Sequence, residues 1–306
     1  MIEFFGKLGE HLGFPVNASE HGLIIDHMNG WIHWLMLILF VGWGIFFIYV
    51  LIRFRSGANP KANYEGVTSH ISRYTEYAVI IFEAILLIGF AYPMWAKVKT
   101  QIPTIDGNTI EVRVIAQQFA WNMHYPGQDG LFGDTNPDLV DEETNPIGLD
   151  RNSPNGEEDI TTINQLHLPV NKQAMLYLSS KDVIHSLSLP EMRVKQDAIP
   201  GMTIPVFFTP TMTSVEFLEE IKETLRFNPT GSYMGVGKEA WDIFNEESKN
   251  EFRGYQISCA QLCGNSHYKM RGFMMIHEEE DFENWLAEQA EELEEEGDDW
   301  GDDDDW

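Results

Sequence analysis

The chain has 306 residues and a formal net charge of −28, enough length for one large or two modest domains. A protein this acidic repels nucleic-acid phosphates, which excludes that class of partner. It suits a basic protein partner, whose complementary field speeds encounter, or an organism whose proteins are acidic throughout.

Residues 1–30 are mixed in character, with Glu3, Glu10, Glu20 and Asp26 set around Lys7. No basic stretch leads into a short apolar core and a small-residue cleavage site, so no cleavable signal peptide is expected there. A short amphipathic helix on the membrane surface is the expectation instead. Residues 31–52 are uncharged and rich in Leu, Ile, Phe and Val, long enough at about 1.5 Å per residue to cross a bilayer core of roughly 30 Å. Residues 77–95 form a second apolar run that ends in the interfacial aromatics Tyr92 and Trp95. Between the two, Arg53, Arg55, Lys61 and Arg73 outnumber Glu65. The positive-inside rule therefore puts the connecting loop in the cytoplasm and both termini outside.

Two carboxylates mark the second helix. Glu76 lies at its cytoplasmic start, where an acidic residue is favoured by the helix dipole. Glu83 lies about 10 Å deeper along the axis, where an ionised carboxylate is costly and must face protein or water.

After a linker near Ile102 and Pro103 the pattern switches to period two. Ile110, Val112 and Val114 alternate with Glu111 and Arg113, and comparable runs follow at 175–178, 183–189, 206–209, 255–258 and 273–276. Many short strands with Gly and Pro between them read as a β-sandwich or small barrel. Residues 127–159, rich in Gly, Pro, Asn and Asp, read as a long surface loop. They lack the calcium-loop pattern with its closing Glu. Residues 214–225 and 238–252 have helical patterning, with Pro229 and Gly231 between them. The tail begins with a helix through Trp285, Leu286 and Ala290. It then runs into Glu and Asp blocks that are expected to stay unstructured, and 281–306 contains no Lys or Arg. The expected division is an extracytoplasmic segment 1–30, a transmembrane hairpin 31–98, a β domain 104–280 with a helical insertion near 213–252, and an acidic tail 281–306.

The chemistry is concentrated in residues 259–270. Cys259, Cys263, His267 and Met270 lie there together, and Cys259 and Cys263 are the chain's two cysteines. A further imidazole, His185, lies in the strand-like run Asp182, Val183, Ile184, His185, Ser186. Three readings compete: a disulfide, usual in an exported domain; a structural zinc held by Cys259, Cys263, His185 and His267; and copper. A thioether adds nothing to zinc, whereas it suits copper. His70, His124, His167 and His277 lack partners at ligand spacing and read as surface or core residues.

These two motifs, with the segment Val194, Lys195, Gln196, Asp197, Ala198, Ile199, Pro200, Gly201 between them, closely resemble subunit II of haem-copper cytochrome c oxidases. The resemblance covers most of the chain, the two membrane helices included. It implies that the β domain is a cupredoxin-like Greek-key barrel. It further implies that Cys259 and Cys263 bridge two copper ions, the dinuclear centre called CuA. His185 and His267 would give one imidazole to each metal, Met270 a weak sulfur ligand, and Gln261 its backbone carbonyl.

Such a subunit takes single electrons from a c-type cytochrome and passes them to haem in subunit I, where oxygen is reduced, as part of an oxidoreductase and translocase. Subunit I, other oxidase subunits and the lipid bilayer are then its partners. The bacterial inner (plasma) membrane is its place, with the copper domain on the periplasmic side. Glu76 matches the family glutamate at the mouth of a proton pathway.

Two departures from the family pattern matter. Gln261 stands where many members have a Glu that helps hold magnesium at the subunit I interface, and a neutral amide is a poorer ligand for that hard cation. The family's aromatic cluster, which receives the electrons, is here Gln118, Phe119, Ala120, Trp121. Phe119 aligns with the receiving tryptophan, and Trp121 lies two residues on, so both are candidates for the point of electron arrival. No Cys-x-x-Cys-His motif is present, hence no attached c-type haem. Among rival readings, a quinol oxidase subunit would lack the copper ligands, and a copper-delivery protein would not need the full ligand set. Nitrous oxide reductase would need a far longer chain.

Overall fold

The computed structural model describes residues 14–61, 64–65, 70–100, 102–227, 232–233, 236–237 and 255–299. It separates into two units, one built from the membrane-length helices (23–102) and one from the β domain (103 onward, with 13–22).

In the first unit, helix α1 spans Gly22–Arg53. It starts nine residues before the expected 31–52, because Leu23, Ile24 and Ile25 continue the apolar pattern and no Pro interrupts it. The Asn59 side chain donates to the Arg53 carbonyl at 2.6 Å and closes the helix end. Helix α2 (Ile71–Leu86) runs through one π-helical turn (Leu87–Ala91) into α3 (Tyr92–Lys99). Pro93 accounts for the wide turn: it offers no N–H to the carbonyl of Gly89, and its ring would clash there in regular α geometry. Both helical stretches, Gly22–Arg53 and Ile71–Lys99, are long and apolar enough to cross a membrane.

The second unit is built on two five-stranded sheets. Strands β1 (Thr109–Gln117), β2 (Ala120–Tyr125), β3 (Ile160–Ile163), β5 (Gln173–Ser180) and β8 (Ile204–Phe208) form one, in the order β3-β2-β1-β5-β8. Strands β4 (Gln165–Pro169), β6 (His185–Leu189), β7 (Val194–Ala198), β11 (Tyr255–Cys259) and β12 (Arg271–His277) form the other, in the order β4-β12-β11-β6-β7. Pairs β1·β5 and β4·β12 are parallel, and the remaining neighbours are antiparallel. Alternation along β1 turns Val112, Val114 and Ala116 inward, where they meet Leu176, Leu178, Leu187, Leu189, Ile257 and Met274. This is the cupredoxin-like barrel that the sequence leads one to expect. The six strand-like runs became β1, β5, β6, β8, β11 and β12, and four further strands complete the sheets.

Three segments depart from expectation. Residues 14–21 form no membrane-surface helix; they lie as an extended strap on the β domain. Ala18 is fully buried there, its N–H donates to the Glu191 carbonyl at 2.9 Å, and the Ser19 hydroxyl donates to the Met192 carbonyl at 2.8 Å. The loop between β2 and β3 is anchored rather than loose: buried Asp159 accepts from His124 Nε2 and from the N–H groups of Gly127 and Gly133. The C-terminal helix α5 (Glu279–Asp299) runs past Ala290 into the acidic block. Trp285, Leu286 and Leu293 pack its apolar stripe on the barrel, buried Phe282 lies against His277, and Glu is itself a good helix former.

Helix α4 (Ser214–Phe227) opens with a capping box. Thr213 Oγ1 accepts from the Glu216 N–H, and the Glu216 carboxylate accepts from the Thr213 N–H. After it, β9 (Ser232–Tyr233) and β10 (Val236–Gly237) form a short ribbon. The helix expected at 238–252 lies outside the described residues, as do 1–13 and the end of the tail, 300–306.

Candidate metal centre

The centre is assembled where β11 ends and β12 begins. Cys259 is the last residue of β11, paired with Leu187 of β6, and His185 is the first residue of β6. The intervening loop folds back on itself. The Cys259 N–H donates to the Met270 carbonyl at 3.3 Å, the His267 N–H to the Gly264 carbonyl at 3.1 Å, and the Met270 N–H to the His267 carbonyl at 3.1 Å. A 3-10 turn at His267–Lys269 aims His267 and Met270 back toward Cys263. Gly264 has φ +135°, and a Cβ there would lie 2.6 Å from the Gln118 amide nitrogen and 3.1 Å from the Phe119 ring. Only glycine lets this loop approach the β1–β2 corner so closely. The Gln118 amide also donates to the Cys263 carbonyl at 2.5 Å.

The six atoms singled out in the sequence come together. The two sulfurs are 3.8 Å apart, far beyond the roughly 2.05 Å of a disulfide, and both cysteines are free. His185 Nδ1 is 3.1 Å from Met270 Sδ and 4.0 Å from Cys259 Sγ, while Met270 Sδ is 3.7 Å from Cys263 Sγ. On the other side, His267 Nδ1 is 3.4 Å from Cys263 Sγ, and the Gln261 carbonyl is 3.1 Å from Cys259 Sγ.

A metal with ligands at about 2.0–2.3 Å in tetrahedral array has ligand-to-ligand edges of about 3.3–3.8 Å. The separations given above, 3.1–4.0 Å, lie close to that range. Donor atoms of His185, Cys259 and Cys263 lie within 4.8 Å of one another, a circle that does not include His267. One tetrahedral zinc needs all four donors around a single point, which a His267 outside that circle disfavours. The donor set is soft, as copper prefers.

Burial, followed by the neighbouring Cys259 thiol, pushes the Cys263 thiol up to about 11. The Cys263 thiol therefore stays protonated until a metal displaces its proton. Met270 and Cys263 are buried, whereas Leu262 and Tyr268 project from the loop with 77% and 68% of their surface exposed.

Two residues that the motif search missed support this arrangement. Asp182 Oδ1 lies 2.8 Å from His185 Nε2, and the other carboxylate oxygen accepts from the Gln118 N–H at 2.7 Å. Burial disfavours the Asp182 charge, but hydrogen bonds from His185, Gln118 and Val183 prevail and hold its carboxyl below the usual range. The Asp-x-x-His spacing was the available signal. Gln118, the second, lies in the sequence only beside the aromatic residues Phe119 and Trp121.

The candidates for electron arrival occupy different settings. Trp121 is fully buried, with its ring centroid 6.3 Å from that of His185. Phe119 is half-buried against Gly264. Glu76 belongs to α2, in the helical unit. His70, His124, His167 and His277 join no metal-like cluster among the described residues. His124 pairs with Asp159, and His167 Nδ1 lies 2.9 Å from His277 Nε2.

A family model described as "Cytochrome C oxidase subunit II, periplasmic domain" matches residues 110–221, which include His185 and stop before Cys259. An "Alternative cytochrome c oxidase subunit 2" of Bradyrhizobium diazoefficiens is 26% identical over 273 residues, 89% of this chain and 82% of that protein. The "Cytochrome c oxidase subunit 2" of Schizosaccharomyces pombe is 23% identical over 286 residues, 91% of this chain and 94% of that one. Among solved structures, the periplasmic domain of subunit II of cytochrome oxidase from Bradyrhizobium japonicum shares 22% identity. It covers 63% of this chain and 99% of its own, with a TM-score of 0.36.

Proposed function

The chain belongs to the cytochrome c oxidase subunit II family, and on that premise we propose that it is the electron-receiving subunit of a membrane-bound oxidase. It accepts single electrons from a c-type cytochrome and passes them to haem in subunit I, where oxygen is reduced. The observation that carries the reading is the pair of free sulfurs 3.8 Å apart, each with its own nitrogen, sulfur or carbonyl neighbours at ligand spacing.

His185 and Met270 would complete one metal position, and His267 with the Gln261 carbonyl the other. Two copper ions held there supply a one-electron couple spread over both metals. The protein's part is to keep the donors still. Strands β6, β11 and β12 fix three sides of the site, Asp182 holds the His185 tautomer, and the buried Met270 and Cys263 exclude water. A rigid donor set changes little between redox states, which favours rapid outer-sphere transfer. Met270→Leu should shift the potential and leave the barrel folded.

The remaining proposals follow the same reading. Two helices anchor the chain in a bacterial plasma membrane, with both termini and the β domain outside. Its parts are the membrane-length helices between 22 and 99, the copper domain from 103 with the strap 14–21, and the acidic C-terminal helix and tail from 279. Subunit I and other oxidase subunits are its partners, and Glu76 marks a proton entrance at the cytoplasmic face. Gln261 argues against magnesium at the subunit I interface.

The test is copper stoichiometry with electron paramagnetic resonance on the full chain purified from membranes. Two coppers per chain sharing one unpaired electron are expected, and Cys259→Ser should abolish that signal. A normal centre in the Cys259→Ser protein would defeat the ligand assignment. One labile copper would favour a delivery role.

A further inference from the structure

Glu83 is not explained by electron transfer, and its position is unusual. At about 1.5 Å per residue it lies roughly 18 Å from the Ile71 end of its membrane-length helix and roughly 24 Å from the Lys99 end, well inside a bilayer core of about 30 Å. Val79, Ile80, Ile81, Phe82, Ile85 and Leu87 surround it. Its side chain is exposed on the helix surface and has neither an ion pair nor a side-chain hydrogen bond among the described residues. The chain's own cations on these two helices stand only toward the helix ends: Arg53, Arg73, Lys97 and Lys99.

The helix face around it has a direction. Glu76 and Glu83 are seven residues apart, which brings them within about 20° of the same line along the helix. Ser72 precedes Glu76 by one turn on that side. The helix leaves α geometry at Leu87, one turn beyond Glu83; Pro93 sets that turn, and such turns are frequent at functional sites. A carboxylate in hydrocarbon must turn to protein or water, and with no cation of this chain's two helices at that depth a partner subunit or water is left to meet it.

We propose that Glu83 is a proton-carrying carboxylate at mid-membrane. It receives protons that come in past Glu76 and hands them to an acceptor group in the membrane-embedded partner subunit. This rests on Glu76 marking the proton entrance. The step balances simply: one proton arrives at a carboxylate oxygen, the same proton leaves, and no electron moves on this residue. Reduction of oxygen to water, which consumes one proton for each electron, is the sink. The gap of about 10 Å along the axis from Glu76 is to be spanned by water or partner groups.

The experiment uses the assembled oxidase carrying Glu83→Gln, Glu83→Asp or, separately, Glu76→Gln. Copper and haem content are measured, with turnover against pH and infrared difference spectra in light and heavy water. Glu83→Gln should assemble with normal metal content and lose about a hundredfold or more in turnover, with an altered pH profile. It should also lose a carboxylic C=O band that shifts in heavy water, while Glu83→Asp should recover much of the rate and move the band. Turnover within about twofold of the parent with the band retained would overturn the proposal. So would impaired assembly with normal turnover in the complexes that do form. If Glu83→Gln does not assemble at all, an unmoved band in Glu83→Asp overturns it. A defect in Glu76→Gln with none in Glu83→Gln keeps the entrance and removes Glu83, whereas the reverse keeps Glu83 and removes the entrance.

Discussion

Asp182 Oδ1 lies 2.8 Å from His185 Nε2, while His185 Nδ1 lies 3.1 Å from Met270 Sδ. One imidazole thus links a carboxylate on one side to the donor cluster on the other. The carboxylate accepts the Nε2 proton, which leaves the Nδ1 lone pair free for a metal and makes the ring a stronger donor. Asp182→Asn would present an amide that can donate to Nε2 and favour the wrong tautomer. Copper affinity should fall about 10–100-fold, and the reduction potential should rise because the oxidised centre loses a stabilising negative charge. Copper competition and a redox titration check this; unchanged values in both would show that Asp182 only ties down its loop.

Trp121 was a candidate for the point where electrons arrive, yet it is fully buried beside His185. No docking donor can touch it in this arrangement. Trp121→Ala should therefore cost about 3–5 kcal/mol of stability. The milder Trp121→Phe should leave the KM for the cytochrome donor unchanged. Denaturant unfolding and donor-dependent kinetics separate the two effects. A raised KM in a Trp121→Phe protein of full stability would place the donor against this residue after all.

The pair His124 and Asp159 has both side chains fully buried. Asp159 also accepts from the N–H groups of Gly127 and Gly133, so one carboxylate anchors both ends of the loop between β2 and β3. Removing it leaves the donors without a partner. Asp159→Ala should cost about 3–5 kcal/mol and open the 127–159 segment to protease before the barrel itself unfolds. Limited proteolysis with mapping of the first cut is the measurement, and a first cut elsewhere would reject the anchoring role.

The metal loop was readable because its chemistry is local: Cys259, Gln261, Cys263, His267 and Met270 fall within one short stretch, and ligand spacing survives any uncertainty about the sheets. Strand β1 was readable because one face is buried and the other is not. Strand β2 was not, since Trp121, Asn122, Met123, His124 and Tyr125 are all buried and no alternation shows. Strand β4 hid for the same reason. What the sequence could not reveal were contacts across long separations, such as Ala18 under the Met192 turn, or Trp285 stacked on His167 with centroids 4.0 Å apart. Helix α5 outran its expected end because the acidic block continues a helix already fixed by packing.

The stack of Trp285, His167 and His277 gives the β domain a predictable acid sensitivity. Burial, with the charge of His277 second, pushes His167 down to about 3, against about 6.5 for an unperturbed histidine. Between those two values the unfolded chain binds a proton that the folded one refuses. Unfolding free energy should then fall as pH drops from about 6.5 toward 3, by up to about 1.4 kcal/mol per pH unit, and should not depend on this site above 6.5. His277, also lowered chiefly by burial, acts in the same direction. His167→Phe removes the titrating group and keeps an aromatic ring under Trp285. Its unfolding free energy should decline less steeply than the parent's over that window, with the two slopes equal at neutral pH. Urea midpoints taken across the range test this directly. Parallel acid slopes would mean that His167 is protonated in the folded chain, and that the stack with Trp285 does not hold it neutral.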